Sequence, residues 1–325
     1  MKYSELKRSL LNGVQLVYVL HGTDDFLRNY AVQLIREKCI SMPDLNYLAV
    51  EGGSLTPEMN ETVFNSLRSY PFLSDRRMVL LKEYYPTADE YKKSGMAEYM
   101  SSPEATSVLI INNKKSHKIF DKADKATFVD CTSDMPLCVG WICNEAKKAA
   151  LGISPVTATR IAEYCLLDFT KISTEMKKLV DYCAEEGEIS FAAVNEIVHK
   201  DSEYQIYEMV ERISSGRAEE AYFILNDLLS KNESEQRIFI SIYSHFRRLL
   251  HVAVSPELKN SELAETLGVK EYAIKMTRMQ VKKFSVKKLK GICEKFSEYD
   301  VRFKSGDMGL GDALWNGVFS AMIGV

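Results

Sequence analysis

Five short runs of apolar and β-branched residues, at 15–20, 46–50, 77–82, 107–112 and 127–130, alternate with helix-period stretches and then stop. Strands separated by helices are joined by crossovers, which makes neighbouring strands parallel and demands apolar residues on both sheet faces. The first run, Gln15-Leu16-Val17-Tyr18-Val19-Leu20, is closed by His21-Gly22. After it Phe26, Leu27, Tyr30, Ala31, Leu34, Ile35 and Cys39 recur at helical spacing. Further helices are expected at 57–67 and 88–100. Residues 1–137 are thus expected to form an α/β sandwich.

Beyond Cys138 the strand signals fade. Helical periodicity at 137–150, 155–166, 170–185 and 191–198, with Ser154-Pro155 as cap and first turn and Gly187 as a stop, predicts a small helical lid domain over 138–201. Helices at 204–214, 218–230, 235–254, 261–267, 272–281, 286–305 and 312–323, punctuated by Gly216, Pro256, Gly268 and Gly306, predict an all-α bundle over 202–325.

At 325 residues the chain can build two or three such cores. Its net charge of −3 gives no overall attraction to nucleic acid or anionic membrane, so any such contact must come from a local patch. Neither a signal peptide at Met1-Lys2-Tyr3-Ser4 nor a membrane-length apolar window is found, and a cytoplasmic location is expected. The seven cysteines include no Cys-x-x-Cys pair, and Cys131, Cys138 and Cys143 are too loosely spaced for a zinc knuckle. Reduced thiols and no metal are expected.

Strand, glycine turn, helix is how a nucleotide-binding domain opens, yet the turn here is His21-Gly22-Thr23-Asp24-Asp25. A phosphate loop needs several glycines and a lysine. Asp24 and Asp25 instead put carboxylates where the anion would lie, cap the helix amides themselves and repel phosphate. Nor do the later strands end in paired carboxylates that could hold magnesium: one ends in Lys82-Glu83, another in Asn112-Asn113-Lys114-Lys115. No hydrolytic activity and no nucleotide cofactor are expected.

One stretch invites a partner. Ser69-Tyr70-Pro71-Phe72-Leu73-Ser74-Asp75-Arg76-Arg77 joins a helix to a strand and places two large apolar side chains in a polar loop. A loop runs over the surface, where Phe72 and Leu73 gain nothing unless something covers them or they fold inward.

Other constellations have plainer readings beside them. Ser261 to Met276 resembles a helix-turn-helix with Gly268 in the turn, followed by Lys275, Arg278, Lys282, Lys283, Lys287, Lys288 and Lys290. Such turns are also common in bundles, and lysines at helical spacing usually form a solvated face. Arg247 and Arg248 beside Phe246 and Leu249 read either as a surface pair or as part of an interface with a neighbouring chain. His117, His199, His245 and His251 have no partners at catalytic or metal-ligand spacing. An NTP-using enzyme with an atypical phosphate loop and a helix-turn-helix regulator are the rival readings.

Taken together, Gly22-Thr23-Asp24-Asp25-Phe26-Leu27, Pro71-Phe72-Leu73-Ser74-Asp75-Arg76-Arg77-Met78, Gln205-Ile206-Tyr207, Phe246-Arg247-Arg248-Leu249-Leu250 and Asp300-Val301-Arg302-Phe303-Lys304-Ser305-Gly306 resemble the delta subunits of bacterial DNA polymerase III clamp loaders. The resemblance spans nearly the whole chain. It implies an AAA+-like fold whose ATP site has been lost, with Gly22, Asp24 and Asp25 as the degenerate loop. It further implies a carboxy-terminal collar joined to the ATPase subunits gamma or tau and to delta prime, and contact with primed DNA through the complex. Phe72 and Leu73, with Pro71 and Arg76 beside them, fall on the segment that grips the ring-shaped sliding clamp beta. Arg247, Arg248, Lys282, Lys283 and Lys304 are the candidate collar or DNA contacts. Burying a Phe and a Leu contributes about 1.5 to 3 kcal/mol each, enough to dominate an interface.

Overall fold

The computed structural model describes residues 1–53, 55–231 and 233–323, so the last two residues of the expected 202–325 bundle lie outside the described residues. The chain divides into two compact units, Met1–Ile142 with Asp168–Ser173, and Cys143–Leu167 with Thr174–Val325.

The first unit contains α1 (Tyr3–Leu11), β1 (Val17–His21), α2 (Asp25–Cys39), α3 (Pro43–Asn46), β2 (Tyr47–Glu51), α4 (Pro57–Arg68) and β3 (Arg77–Lys82). It continues through α5 (Ala88–Lys93), α6 (Met96–Ser101), β4 (Ser107–Asn113), a 3-10 turn (Lys118–Lys122) and β5 (Ala126–Asp130) into α7 (Met135–Lys148). All five strand expectations hold, and the strands pair in parallel in the order β2-β3-β4-β1-β5. Every residue of β4, at the centre of the sheet, is buried. Val17, Val19, Val79, Leu81, Leu109 and Ile111 share a core with Phe64, Leu67, Met96, Met100 and Phe120 on one face. The alternating Tyr18, Leu20, Leu80 and Ile110 are buried as well, so the sheet is covered on both sides.

The chain then forms β6 (Gly152–Ile153), α8 (Pro155–Tyr164), α9 (Phe169–Tyr182), β7 (Glu188–Ile189) and α10 (Phe191–Ile197). Sequence periodicity did not show the two-residue pair β6-β7, which is too short to carry a period. Ser154 caps α8 through Thr157 N–H, with Pro155 in the first turn as expected. The bundle follows as α11 (Ser202–Ser214), α12 (Ala218–Ser230), α13 (Glu235–Val254), α14 (Asn260–Leu267), α15 (Glu271–Val281), α16 (Val286–Lys304) and α17 (Leu310–Ile323). Met209, Leu225, Ile242, Phe246, Phe296 and Leu314 lie at its centre. All seven cysteines are free. Among the described residues no helix is long and apolar enough to cross a membrane.

Candidate functional site

In a parallel sheet the two ends are chemically distinct, and the first unit uses them differently. The loop between α4 and β3 enters the sheet at the amino ends of the strands; the turn after β1 leaves from the carboxyl ends.

Of the two alternatives left open by the sequence, the loop takes the one in which the apolar pair stays outside. Phe72 is 56% exposed, Leu73 71% and Tyr70 85%. These side chains do not fold into the unit's own core. The loop beneath them is nonetheless held. Asn46, only 1% exposed, accepts from Phe72 N–H at 2.7 Å and donates through Nδ2 to the carbonyls of Phe72 (2.9 Å) and Met42 (3.1 Å). Ser74 Oγ accepts from Ser41 N–H at 3.1 Å and donates to the Arg76 carbonyl. Leu73 sits at φ +48°, a left-handed conformation that costs a branched residue about 1–2 kcal/mol and persists only where the surroundings enforce it. Met42 and Leu45, on the segment that Asn46 ties to this loop, are about half exposed too. Five apolar side chains therefore stand on two connections cross-linked by one buried amide.

Arg76, grouped with the apolar pair from sequence, has another use. Its Nη1 donates to the Val14 carbonyl at 2.8 Å, which ties the loop to the segment entering β1. It positions Phe72 and Leu73 from below; Pro71 is partly covered beside them.

At the opposite end the turn after β1 is shut. Gly22 has φ +142°, and a Cβ there would lie 2.5 Å from the Cys131 carbonyl carbon, so only glycine fits. Cys131 N–H donates to the His21 carbonyl at 2.6 Å, bringing the chain after β5 directly against the turn. Asp24 caps α2 by accepting from Leu27 N–H at 3.1 Å and also accepts from Phe169 N–H at 3.3 Å. Asp25 pairs with Arg28 at 2.5 Å. The buried Arg28 guanidinium donates to Asn112 Oδ1 at 2.9 Å and to the Gly22 carbonyl, and lies 3.6 Å from Glu83 Oε1. Asn113 clasps both backbone groups of Tyr84, and Glu83 accepts from Lys114 N–H. Asp24, Asp25, Glu83 and the buried Arg28 thus engage groups of the unit itself at the position where a phosphate loop would lie.

Sequence reasoning missed Arg28 and Asn46. Arg28 left a trace, since it shares the buried stripe of α2 with Val32 and Ile35, where a cation needs partners. Asn46 left none: its partner is 26 residues away.

In the bundle the candidate cations separate. Arg248 is not one of a surface pair; its side chain is 11% exposed, pairs with Glu203 at 2.8 Å and donates to His245 Nδ1 at 3.1 Å. His245 in turn binds Gln280, and burial, with Arg248 adding, pushes its pKa down to about 3, so the ring is neutral at physiological pH. Lys283 pairs with Glu211 and Lys304 with Asp300. Arg247 lies over the Tyr243 ring, and Lys282 stands in solvent. The Ser261–Met276 stretch does form two helices around a left-handed Gly268. Its second helix buries Ile274, Thr277 and Gln280 in the bundle, and Arg278 caps the carbonyls of Pro256 and Leu258, a packing role that leaves little to read a base pair.

Comparison with known proteins sets these features in context. The family model described as DNA polymerase III, delta subunit matches residues 18–132, and the model for the C-terminal domain of the DNA polymerase III delta subunit matches residues 203–311. The chain belongs to the DNA polymerase III delta-subunit family. It is 24% identical over 318 residues to the DNA polymerase III subunit delta of Bacillus subtilis, covering 92% of this chain and 91% of that one. The same fold occurs in the solved structure of the Bacillus subtilis DNA clamp loader delta protein, with a TM-score of 0.77, 21% identity and 99% of both chains covered. The first of the two family segments contains the exposed loop and the shut turn; the second contains Arg247, Arg248 and Lys304.

Proposed function

We propose that this delta-family chain is a non-catalytic subunit of the DNA polymerase III clamp loader that binds the sliding clamp and opens its ring, or holds it open, for loading onto primed DNA. The observation that carries the reading is the exposure of Phe72 and Leu73 on a loop that Asn46 and Arg76 hold rigid. A preordered apolar anchor loses little entropy on docking, so most of the roughly 1.5–3 kcal/mol from burying each side chain is retained as affinity. Opening the ring needs no chemistry from this chain. It needs only tighter binding to an open or strained clamp interface than to a closed one, about 1.4 kcal/mol for each tenfold bias.

The paired groups around Arg28 support a subunit without its own nucleotide and without a cofactor; fuel would come from gamma or tau. In this reading 1–137 grips the clamp, 138–201 is the lid, and 202–325 joins the collar with gamma or tau and delta prime, in the cytoplasm. Arg247 and Lys282 are the cations free to reach a neighbouring chain or DNA.

The test is surface plasmon resonance of the purified chain over the immobilised sliding clamp from the same organism. Binding is expected, with a loss of at least a hundredfold in the F72A/L73A double variant whose thermal melt is unchanged. Calorimetry against ATP is expected to show no heat of binding. Undiminished clamp affinity in the double variant removes the site assignment, and ATP binding removes the non-catalytic reading.

A further inference from the structure

The first unit carries a concave surface that the loop between α4 and β3 does not use. A groove of about 750 Å³ lies between α5, α6 and the 3-10 turn. Ile119, Ala97 and Ala123 give it an aliphatic lining, and Lys92, Lys118, Lys122 and Lys125 line it as well, against a single carboxylate, Asp124. All four lysines are exposed, and among the described residues none is held in an ion pair. Together the four line one partly apolar trough.

We propose that this groove is a docking site for a short acidic peptide that places aliphatic or aromatic side chains on the Ile119 and Ala97 lining and its carboxylates among the four lysines. Charge complementarity selects the sign of the occupant, and the lining selects its class. A nucleic-acid strand would supply the charge, but its bases gain their affinity by stacking on open aromatic faces. The aromatic rings at this groove are engaged within the unit. Tyr91 meets Phe120 edge-on at 5.7 Å and its hydroxyl lies 3.4 Å from Met100 Sδ; the His117 ring is held between Tyr85 and Phe120 and bonds the Pro86 carbonyl at 2.9 Å. With these rings fixed by their neighbours, Ile119, Ala97 and Ala123 supply the aliphatic part of the lining, and the cationic rim makes binding weaken as salt screens it.

Fluorescence anisotropy on the full chain tests this with a short fluorescein-labelled peptide of repeated Asp-Asp-Leu units, oligo-aspartate of equal length, and oligothymidylate. The leucine-containing peptide is expected to bind with a dissociation constant on the order of 10 µM. Oligo-aspartate is expected to bind at least tenfold more weakly. Lys118→Glu combined with Lys122→Glu should weaken peptide binding tenfold or more, and Ala97→Trp, which fills the trough without altering charge, should do the same. Sliding-clamp affinity should stay unchanged in both variants, because Phe72 and Leu73 are not part of the groove. Peptide affinity that survives both variants, equal affinity for oligo-aspartate, or oligothymidylate binding more tightly and displacing the peptide would each overturn the proposal.

Discussion

The two ends of the parallel sheet received opposite treatments. At the carboxyl ends, the polar groups around the turn after β1 are matched with one another: Asp24 with the first amides of α2, Asp25 and Glu83 with Arg28, Asn112 with Arg28, Asn113 with Tyr84. At the amino ends, a longer loop is also tied down by hydrogen bonds but leaves its apolar side chains in water and one leucine in an unfavourable conformation. The closed end gains stability from these pairings; the open end carries exposure and strain that the proposed clamp contact would offset. The same sheet supports both because loops at its two ends are independent of its core.

That contrast can be broken experimentally. The largest effect is expected from the F72A/L73A double variant, which should cost about 3–6 kcal/mol of clamp affinity by plasmon resonance while urea unfolding shifts by no more than about 0.5 kcal/mol. Equal losses in both measurements would mean that the pair supports the fold and not a partner. Next, Arg28→Ala should destabilise the chain by about 3 kcal/mol in urea titration, since it strands buried acceptors that have no other donor. Calorimetry on the same variant sharpens the comparison. Continued absence of ATP binding is expected, because Gly22 against Cys131 and the capped Asp24 close the turn without Arg28; recovered binding would show that the arginine merely occupied an intact cradle.

Smaller effects probe the loop's scaffold. Asn46→Ala removes three buried hydrogen bonds and should cost about 2 kcal/mol of stability, with clamp affinity falling several-fold although Phe72 and Leu73 are intact. An Asn46→Ala protein that binds as tightly as wild type would show that preordering is irrelevant. The smallest effect on stability belongs to Leu73→Gly. Relief of the left-handed strain roughly offsets the extra freedom of glycine in the unfolded chain, so stability should change by no more than about 1 kcal/mol, towards gain, while clamp affinity drops.

How much of this was legible in advance follows from the range of each interaction. The strands, the capped entry to α2, the acidic turn without a lysine and the place of Phe72 and Leu73 in a polar loop were written in local patterns, whereas whether that pair stays outside or folds inward was not. Arg76 was legible as a neighbour of the pair but not as its anchor on Val14, and Arg248 read either as a surface cation or as an interface residue, not as the partner of His245 and Glu203.

The amino-acid sequence by itself determined where the strands and helices fall, that the turn after β1 carries two carboxylates and no lysine, and that two large apolar groups would sit in a loop. Only the tertiary structure decided that Arg28 would bond the turn after β1, that Asn46 would hold the loop from 26 residues away, and that four lysines would line one aliphatic groove. The division has one physical cause. Propensity and periodicity act between residues a turn or a pleat apart, whereas these pairings depend on which strands lie side by side, and that order is fixed only when the sheet closes around its core.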